Sequence, residues 1–383
     1  MRIEADWVTA GHSTVIMNAL DGQGYFVGGC VRNALLQVSV ADIDIATPLQ
    51  PLVVLERLNT ANIKAIPTGL KHGTITAVHQ GTPVEITTFR TDVDTDGRHA
   101  TVRYTTNISE DAARRDFSMN ALYADRDGNV IDPLNGLPDL QAGLVRFIGS
   151  PEDRIREDYL RILRFFRFHA LYGADGLDAD GLAACAALAE GVDTLARERV
   201  GWEFRKLLGA NDPAPSVAAM AASGILARCL PGADARVLPV LVHLEQQSDA
   251  TPDWMRRLAV LGGEDVANAL RFSRSEGRDL HTILTAIEAS EPTPVAAYRH
   301  GQDVARSIAL ILAASSGAPL SPDLETELRR GAQASFPVTA KDLLARRVLP
   351  GPELGLCLEK LEARWIASGF TLDKRALLSD LPD

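Results

Sequence analysis

The stretch Tyr25–Pro48, YFVGGCVRNALLQVSVADIDIATP, decides how the first part of the chain is read. An apolar run ends in Gly28-Gly29, a helical segment with Arg32 one turn in follows, and a second short run carries Asp42 and Asp44 one residue apart. Strand side chains alternate between faces, so Ile43 and Ile45 are expected on a core face and Asp42 and Asp44 together on the other. Two like charges this close repel, and divalent cations relieve them; Mg²⁺ takes carboxylate, water and phosphate oxygens as ligands. Glu85 in PVEITTF is expected to bring a third carboxylate from another strand. An Asp-x-Asp alone is more readily an ordinary solvated strand face, and GGCVR alone fits a tight turn with a surface arginine. In sequence the two reinforce each other, because backbone N–H groups after a glycine turn and a nearby guanidinium are what a triphosphate beside metal ions requires.

Around this unit, GYFVGG, ADIDIAT, HGTITAV, PVEITTF and NVIDP read as strands separated by turn residues, which makes the N-terminal part α+β. The texture changes at Ser150. SPEDRIREDYLRILRFFRFHALYG opens with a capping residue and a proline at the first helical position, and its periodicity predicts one long helix. The alanine- and leucine-rich remainder reads as helical, with EASEPTPVAA and ASSGAPLSPDLE as loops or subdomain seams.

With 383 residues, several packed units are expected. The net charge of -11 excludes a protein that is basic throughout, leaving phosphate contacts to local patches. Four scattered cysteines with no Cys-x-x-Cys pair argue against zinc and against a disulfide framework, and no stretch suggests a signal peptide or membrane span. A cytoplasmic protein is the expectation.

GGCVRNALL, DIDIATP, TGLKHGT, VEITTFRTD, ARRDFSMNAL, DPLNGLPDL, EDYLRILRFFRF and RERVGWEFRKLL occur in the order and spacing of the class II tRNA nucleotidyltransferase and bacterial poly(A) polymerase family, which the chain resembles densely from about residue 24 to 208. The resemblance implies an α+β polymerase-β-like nucleotidyltransferase head over 1–148, followed by an all-α neck over 149–210, a body over 211–295 and a tRNA-binding tail over 296–383. It further implies that Asp42 and Asp44 hold two Mg²⁺ ions, that Gly28, Gly29, Arg32 and Arg115 lie against the nucleotide, and that Asp116 and Asn120 serve as hinge and sugar-side elements. Asn33 and Gln37 stand where the family commonly has aspartate and glycine.

In EDYLR, Glu157, Asp158 and Arg161 would share a helical turn, as in an ordinary solvated ion pair. The family likeness instead makes Asp158 and Arg161 the protein template for the incoming base. A carboxylate only accepts and a guanidinium only donates, so Asp158 suits the exocyclic amino group of cytosine or adenine and Arg161 the adjacent ring nitrogen. Arg164 and Arg167 are implied to face the nucleotide too, while Phe165, Phe166 and Phe168 read as packing. Arg199, Arg205 and Lys206 read as mainly structural. The polar stretch TDVDTDGRHATV corresponds to a mobile loop in relatives that add all three nucleotides. Arg256 with Arg257, Arg271 with Arg274 and Arg278, and Lys341 with Arg346 and Arg347 are candidate RNA patches or solvated faces.

The function expected is template-independent addition of CCA to the 3′ end of tRNA from CTP and ATP. The alternatives are a poly(A) polymerase or a partial CC- or A-adding enzyme of the same family and, more remotely, an RNA-binding protein without catalysis, which would have no use for the Asp42 and Asp44 charge pair. No histidine is followed by aspartate, so an HD phosphohydrolase module is not expected.

Overall fold

The computed structural model describes residues 1–95 and 100–379. It divides into two compact units, one of residues 1–236 with 262–272 and one of residues 237–261 with 273–383.

The first unit contains a seven-stranded mixed sheet. Its strands are β1 (Tyr25–Val27), β2 (Asp44–Thr47), β3 (Lys64–Gly69), β4 (Thr74–His79) and β5 (Thr82–Thr88), with β8 (Tyr123–Ala124) and β9 (Val130–Ile131) following a separate two-stranded ribbon of β6 (Arg90–Thr95) and β7 (Ala100–Tyr104). The spatial order is β3-β4-β5-β2-β1-β8-β9. The β2–β5 pair is parallel, with Asp44 opposite Glu85, and its neighbours pair antiparallel. Burial alternates along β4 and β5, where Ile75, Val84 and Ile86 are buried and Glu85 is exposed, whereas β2 in the middle of the sheet is buried continuously from Ile45 to Thr47.

The ribbon occupies the flanks of the polar stretch read as a loop, and residues 96–99 of that stretch lie outside the described residues. Strand β3 contains Pro67, which cannot donate to a ladder and is tolerated because β3 is an edge strand with a register shift between Ile66 and Gly69.

The expected long helix after Ser150 is two helices. Ser150 caps the first, Pro151–Glu157, by accepting the Asp153 N–H at 3.3 Å. At Asp158 the backbone is extended, with φ -155° and ψ 106°, and the second helix runs Leu160–Tyr172. An Oδ of Asp158 accepts the Leu160 N–H at 3.1 Å, restarting the helix in the manner that favours Asp at caps over helix interiors. The next residue, Tyr159, lies against Gly191, where a Cβ would come within 1.9 Å of its ring.

The second unit is helical throughout its described residues. Leu241 and Leu244 of the Leu238–Gln247 helix pack on Leu310, Ala313 and Ala314 of the Gln302–Ser316 helix. Both Pro/Ser/Gly-rich stretches are turns between helices within this unit; neither lies at the seam of the two units. Among the described residues no helix is long and apolar enough to cross a membrane.

Arg256 and Arg257, candidate RNA contacts by charge, are buried at 4% and 1% exposure and both bind Glu245, at 2.8 Å for each ion pair. Their charge is used inside the unit because Glu245, on a preceding helix, supplies one oxygen to each guanidinium. Glu245→Ala is expected to destabilise the protein by about 3–5 kcal/mol, the usual cost of removing one partner from a buried ion pair. Urea denaturation checks this, and a loss below about 1 kcal/mol would show that water reaches the pair.

Candidate active site

Strand β2 begins at Asp44, and the Ile43 carbonyl still accepts the Glu85 N–H at 3.4 Å, so the ladder frays one residue earlier. Asp42 therefore occupies the connection just before the strand and is exposed, while Asp44 is half-buried opposite Glu85. The carboxyl of Asp44 is pushed up to about 6, first by burial, then by the charge of Glu85 and, more weakly, of Asp42, with Arg115 acting in the opposite sense. The charges of Asp42 and Glu85 thus both act on the Asp44 carboxyl.

That neighbourhood fits a divalent cation. Among the described residues no three His, Cys, Asp or Glu side chains are arranged to hold a metal by themselves. A cation at Asp42 and Asp44 would draw its remaining ligands from water and phosphate, which is how Mg²⁺ is ordinarily bound.

Gly28, with φ +70° and ψ -120°, makes the turn from β1 into the Gly29–Leu35 helix. A side chain there would be strained, and its Cβ would lie 3.4 Å from a guanidinium nitrogen of Arg115. The turn and Arg115 are therefore neighbours. Arg115 is held by Asp111 at 3.1 Å and by the Tyr123 hydroxyl at 3.2 Å.

Arg32 is buried rather than extended into solvent. Its guanidinium donates to Asn120 Oδ1 at 2.5 Å, Tyr172 Oη at 2.7 Å and Asn33 Oδ1 at 2.8 Å, and lies 4.0 Å from the centre of the Tyr172 ring. All three acceptors are neutral, and burial lowers its pKa below the usual arginine value, with Tyr172 and the charge of Asp116 acting in the opposite sense. Asn33, one of the two departures from the family pattern, is a direct partner of this arginine.

Asp116 accepts from Arg164 Nε at 2.7 Å and from Asn120 Nδ2 at 3.1 Å. Burial alone would raise its carboxyl, but the charge of Arg164 and these hydrogen bonds outweigh burial and hold it down to about 2. The chain Arg32–Asn120–Asp116–Arg164 ties the glycine turn to the Leu160–Tyr172 helix.

A pocket of about 290 Å³ opens beside this chain, lined by Arg114, Arg115, Asp116, Asp158, Arg161, Arg164 and Arg199 together with Leu160. Its volume is near the lower end for a small-molecule site. Within it Asp158 is not paired with Arg161, as one continuous helix had implied. Because the helix breaks at Asp158, its carboxylate turns to Arg199 Nη2 at 2.6 Å, while Arg161 binds Glu157 at 2.5 Å and the Arg154 carbonyl at 2.7 Å. Arg199, assigned to structure by its sequence context, is a lining residue; the signal available was an arginine at the start of a helix rich in cations.

Arg167 does not line the pocket. It is buried against Glu203 at 2.5 Å, joining the Leu160–Tyr172 and Arg197–Leu208 helices. Phe165, Phe166 and Phe168 are buried, with Phe165 stacked on Phe147 and Phe168 against Phe117, in agreement with the packing reading.

Comparison with known proteins gives this arrangement a family. The profile described as "Poly A polymerase head domain" matches residues 24–146, and that described as "Probable RNA and SrmB- binding site of polymerase A" matches residues 177–236. The chain is 32% identical over 377 residues to the mitochondrial CCA tRNA nucleotidyltransferase 1 of Homo sapiens, covering 92% of this chain and 85% of that protein. It is 31% identical over 380 residues to the CCA-adding enzyme of Limosilactobacillus fermentum, covering 93% and 92%. Its structure is similar to the crystal structure of the Bacillus stearothermophilus CCA-adding enzyme in complex with CTP, with a TM-score of 0.74 and 29% identity over 93% of this chain and 92% of that one. A carboxylate-bearing sheet beside an arginine-lined pocket, on a chain alike over nearly its whole length to these enzymes, belongs to the CCA-adding tRNA nucleotidyltransferase family.

Proposed function

We propose that the chain adds C, C and A in turn to the 3′ end of tRNA, taking them from CTP and ATP and releasing pyrophosphate. The observation that carries this reading is Arg115, whose charge acts on the Asp44 carboxyl and which also lines the Asp158 pocket, so the two halves of a transfer site meet at one residue.

In this reading Asp42 and Asp44 hold two Mg²⁺ ions, with Glu85 beside them. When bound, such ions acidify the attacking hydroxyl and neutralise charge on the transferring phosphate. Arg115 faces the phosphates across the Gly28-Gly29 turn, and the charge of Arg32 adds to the field there. Asp158 accepts a hydrogen bond from the 4-amino group of cytosine or the 6-amino group of adenine, and Arg161 and Arg164 donate to ring acceptors or phosphate. Arg199 fixes the rotamer of Asp158, and Arg167 acts at one remove by joining the helices that carry Arg164 and Arg199. The helical tail, 296–383, supports the body of the tRNA.

The profile descriptions name a poly(A) polymerase, which keeps a second reading in play. Extension of a tRNA transcript lacking its 3′ CCA, with Mg²⁺ and with each nucleotide singly and together, decides between them. Three added residues reading CCA, followed by termination, are expected. A long A tract, or addition that stops at CC or consists of A alone, reassigns the enzyme within the family.

A further inference from the structure

We propose that Trp202 and Lys206 form a landing platform for the single-stranded 3′ end of the RNA, one helical turn outside the nucleotide pocket. Both lie on the Arg197–Leu208 helix. Its apolar residues Val200, Phe204, Leu207 and Leu208 are buried, as an amphipathic helix requires, but Trp202 is 63% exposed. An indole left this open is the largest apolar group on the helix and has no part in its core.

Position gives the indole a use. Arg199, three residues earlier, reaches into the pocket and binds Asp158. At about 100° and 1.5 Å per residue, Arg199, Trp202 and Lys206 fall within an arc of about 60°, with Trp202 about 4.5 Å and Lys206 about 10.5 Å beyond Arg199 along the axis. The Lys206 ammonium lies 5.2 Å from the centre of the Trp202 ring. One stripe thus runs from the pocket outward as guanidinium, indole and ammonium.

The chemistry of that stripe matches one occupant. An aromatic face stacks a nucleobase of any identity, and an adjacent cation takes the backbone phosphate, which is how single strands are held without sequence readout. The reading rests on the pocket's role in binding the incoming nucleotide: the RNA end that attacks this nucleotide has to enter from the pocket rim. Sequence-tolerant stacking also suits an end whose last base changes from one addition to the next.

The test uses the full chain with Trp202→Ala and Trp202→Phe, and tRNA transcripts lacking CCA. Trp202→Ala is expected to raise the KM for tRNA about tenfold, within the range for loss of one base–aromatic stack. The KM for CTP and the thermal midpoint should stay unchanged, and Trp202→Phe should recover most of the affinity. An RNA minihelix with a single-stranded 3′ end should quench the tryptophan fluorescence of the wild type more than a blunt minihelix does, and the difference should disappear in Trp202→Phe. An unchanged KM for tRNA in Trp202→Ala, or equal quenching by blunt RNA, overturns the proposal. So does self-association of the wild type abolished by Trp202→Ala, which would give the indole to a second copy of the chain. Failure of the wild type to extend tRNA at all would instead remove the functional reading beneath the platform.

Discussion

Asp44→Asn is expected to lower nucleotide transfer by on the order of 10³-fold or more while making the protein harder to unfold at neutral pH. The first effect follows from removing a charged oxygen at the point where, in the proposed function, the sheet would present carboxylates to a cation and a polyphosphate. The second follows from the environment of the wild-type group. Burial and the charges of Glu85 and Asp42 lift the Asp44 carboxyl from its ordinary 3.8 to about 6, so folding makes the charged form of that group harder to reach than it is in the unfolded chain. A raised acid pKa opposes folding in a defined window. The penalty is absent below about 3.8, where the group is protonated in both states, grows as pH rises, and is complete above about 6, where the folded protein has to carry the charge. Asparagine mimics the neutral acid and escapes it.

Two pKa units correspond to at most about 3 kcal/mol, and partial exposure of the group brings the expected gain down to on the order of 1 kcal/mol. Thermal unfolding without divalent ions should therefore give Asp44→Asn the higher midpoint at pH 7.5 and the same midpoint as wild type near pH 3.5. Adding Mg²⁺ should raise the wild-type midpoint more than the variant's, because only a ligand that binds the folded state stabilises it. A lower midpoint for the variant at pH 7.5 would mean that the carboxylate has a favourable structural partner, and the metal assignment would lose its physical basis.

The sheet carboxylates were legible because they obey a local rule. Alternation along IDIAT and VEITT fixes which faces Asp44 and Glu85 take without knowledge of anything distant, and the glycine turn before them announces its own geometry through the backbone freedom of Gly28. Strand β3 escaped because its proline argues against a central strand and says nothing of an edge. The break at Asp158 was hidden for a different reason: the pattern of EDYLRILRFFRF is helical on both sides, and the decision to restart rests on one side-chain cap and on a tyrosine seated against Gly191, 32 residues away in sequence.

Charge was the least reliable guide. Arg256 and Arg257 look like a surface patch until Glu245 is placed beside them, and Arg199 looks structural until the break turns Asp158 toward it. Each arginine's role depends on a carboxylate outside its own helix, and no periodicity within that helix encodes the partner.

Asp158→Ala is expected to leave transfer chemistry in place and to degrade the choice of base. In the wild type the two carboxylate oxygens are committed from the protein side, one to the Leu160 N–H and one to Arg199, so the group is fixed in direction and keeps lone pairs for an incoming donor. Cytosine and adenine present an amino group to it; uracil and guanine present a carbonyl, and two acceptors face each other. A site built on such a hydrogen bond rejects the mismatched partner by on the order of 10⁴-fold. Alanine removes the acceptor and frees Arg199 to donate to the carbonyl that was refused, so UTP and GTP should gain as CTP and ATP lose. The ratio of kcat/KM for CTP over UTP, measured by single additions to tRNA lacking CCA, should fall by at least about 100-fold, with kcat for CTP reduced about tenfold. Arg199→Ala should produce a smaller fall in the same ratio, because the carboxylate remains but loses the partner that aims it. If Asp158→Ala lowers kcat for all four nucleotides alike and leaves the ratio untouched, the Asp158–Arg199 pair holds the two helices together and base selection lies elsewhere in the pocket.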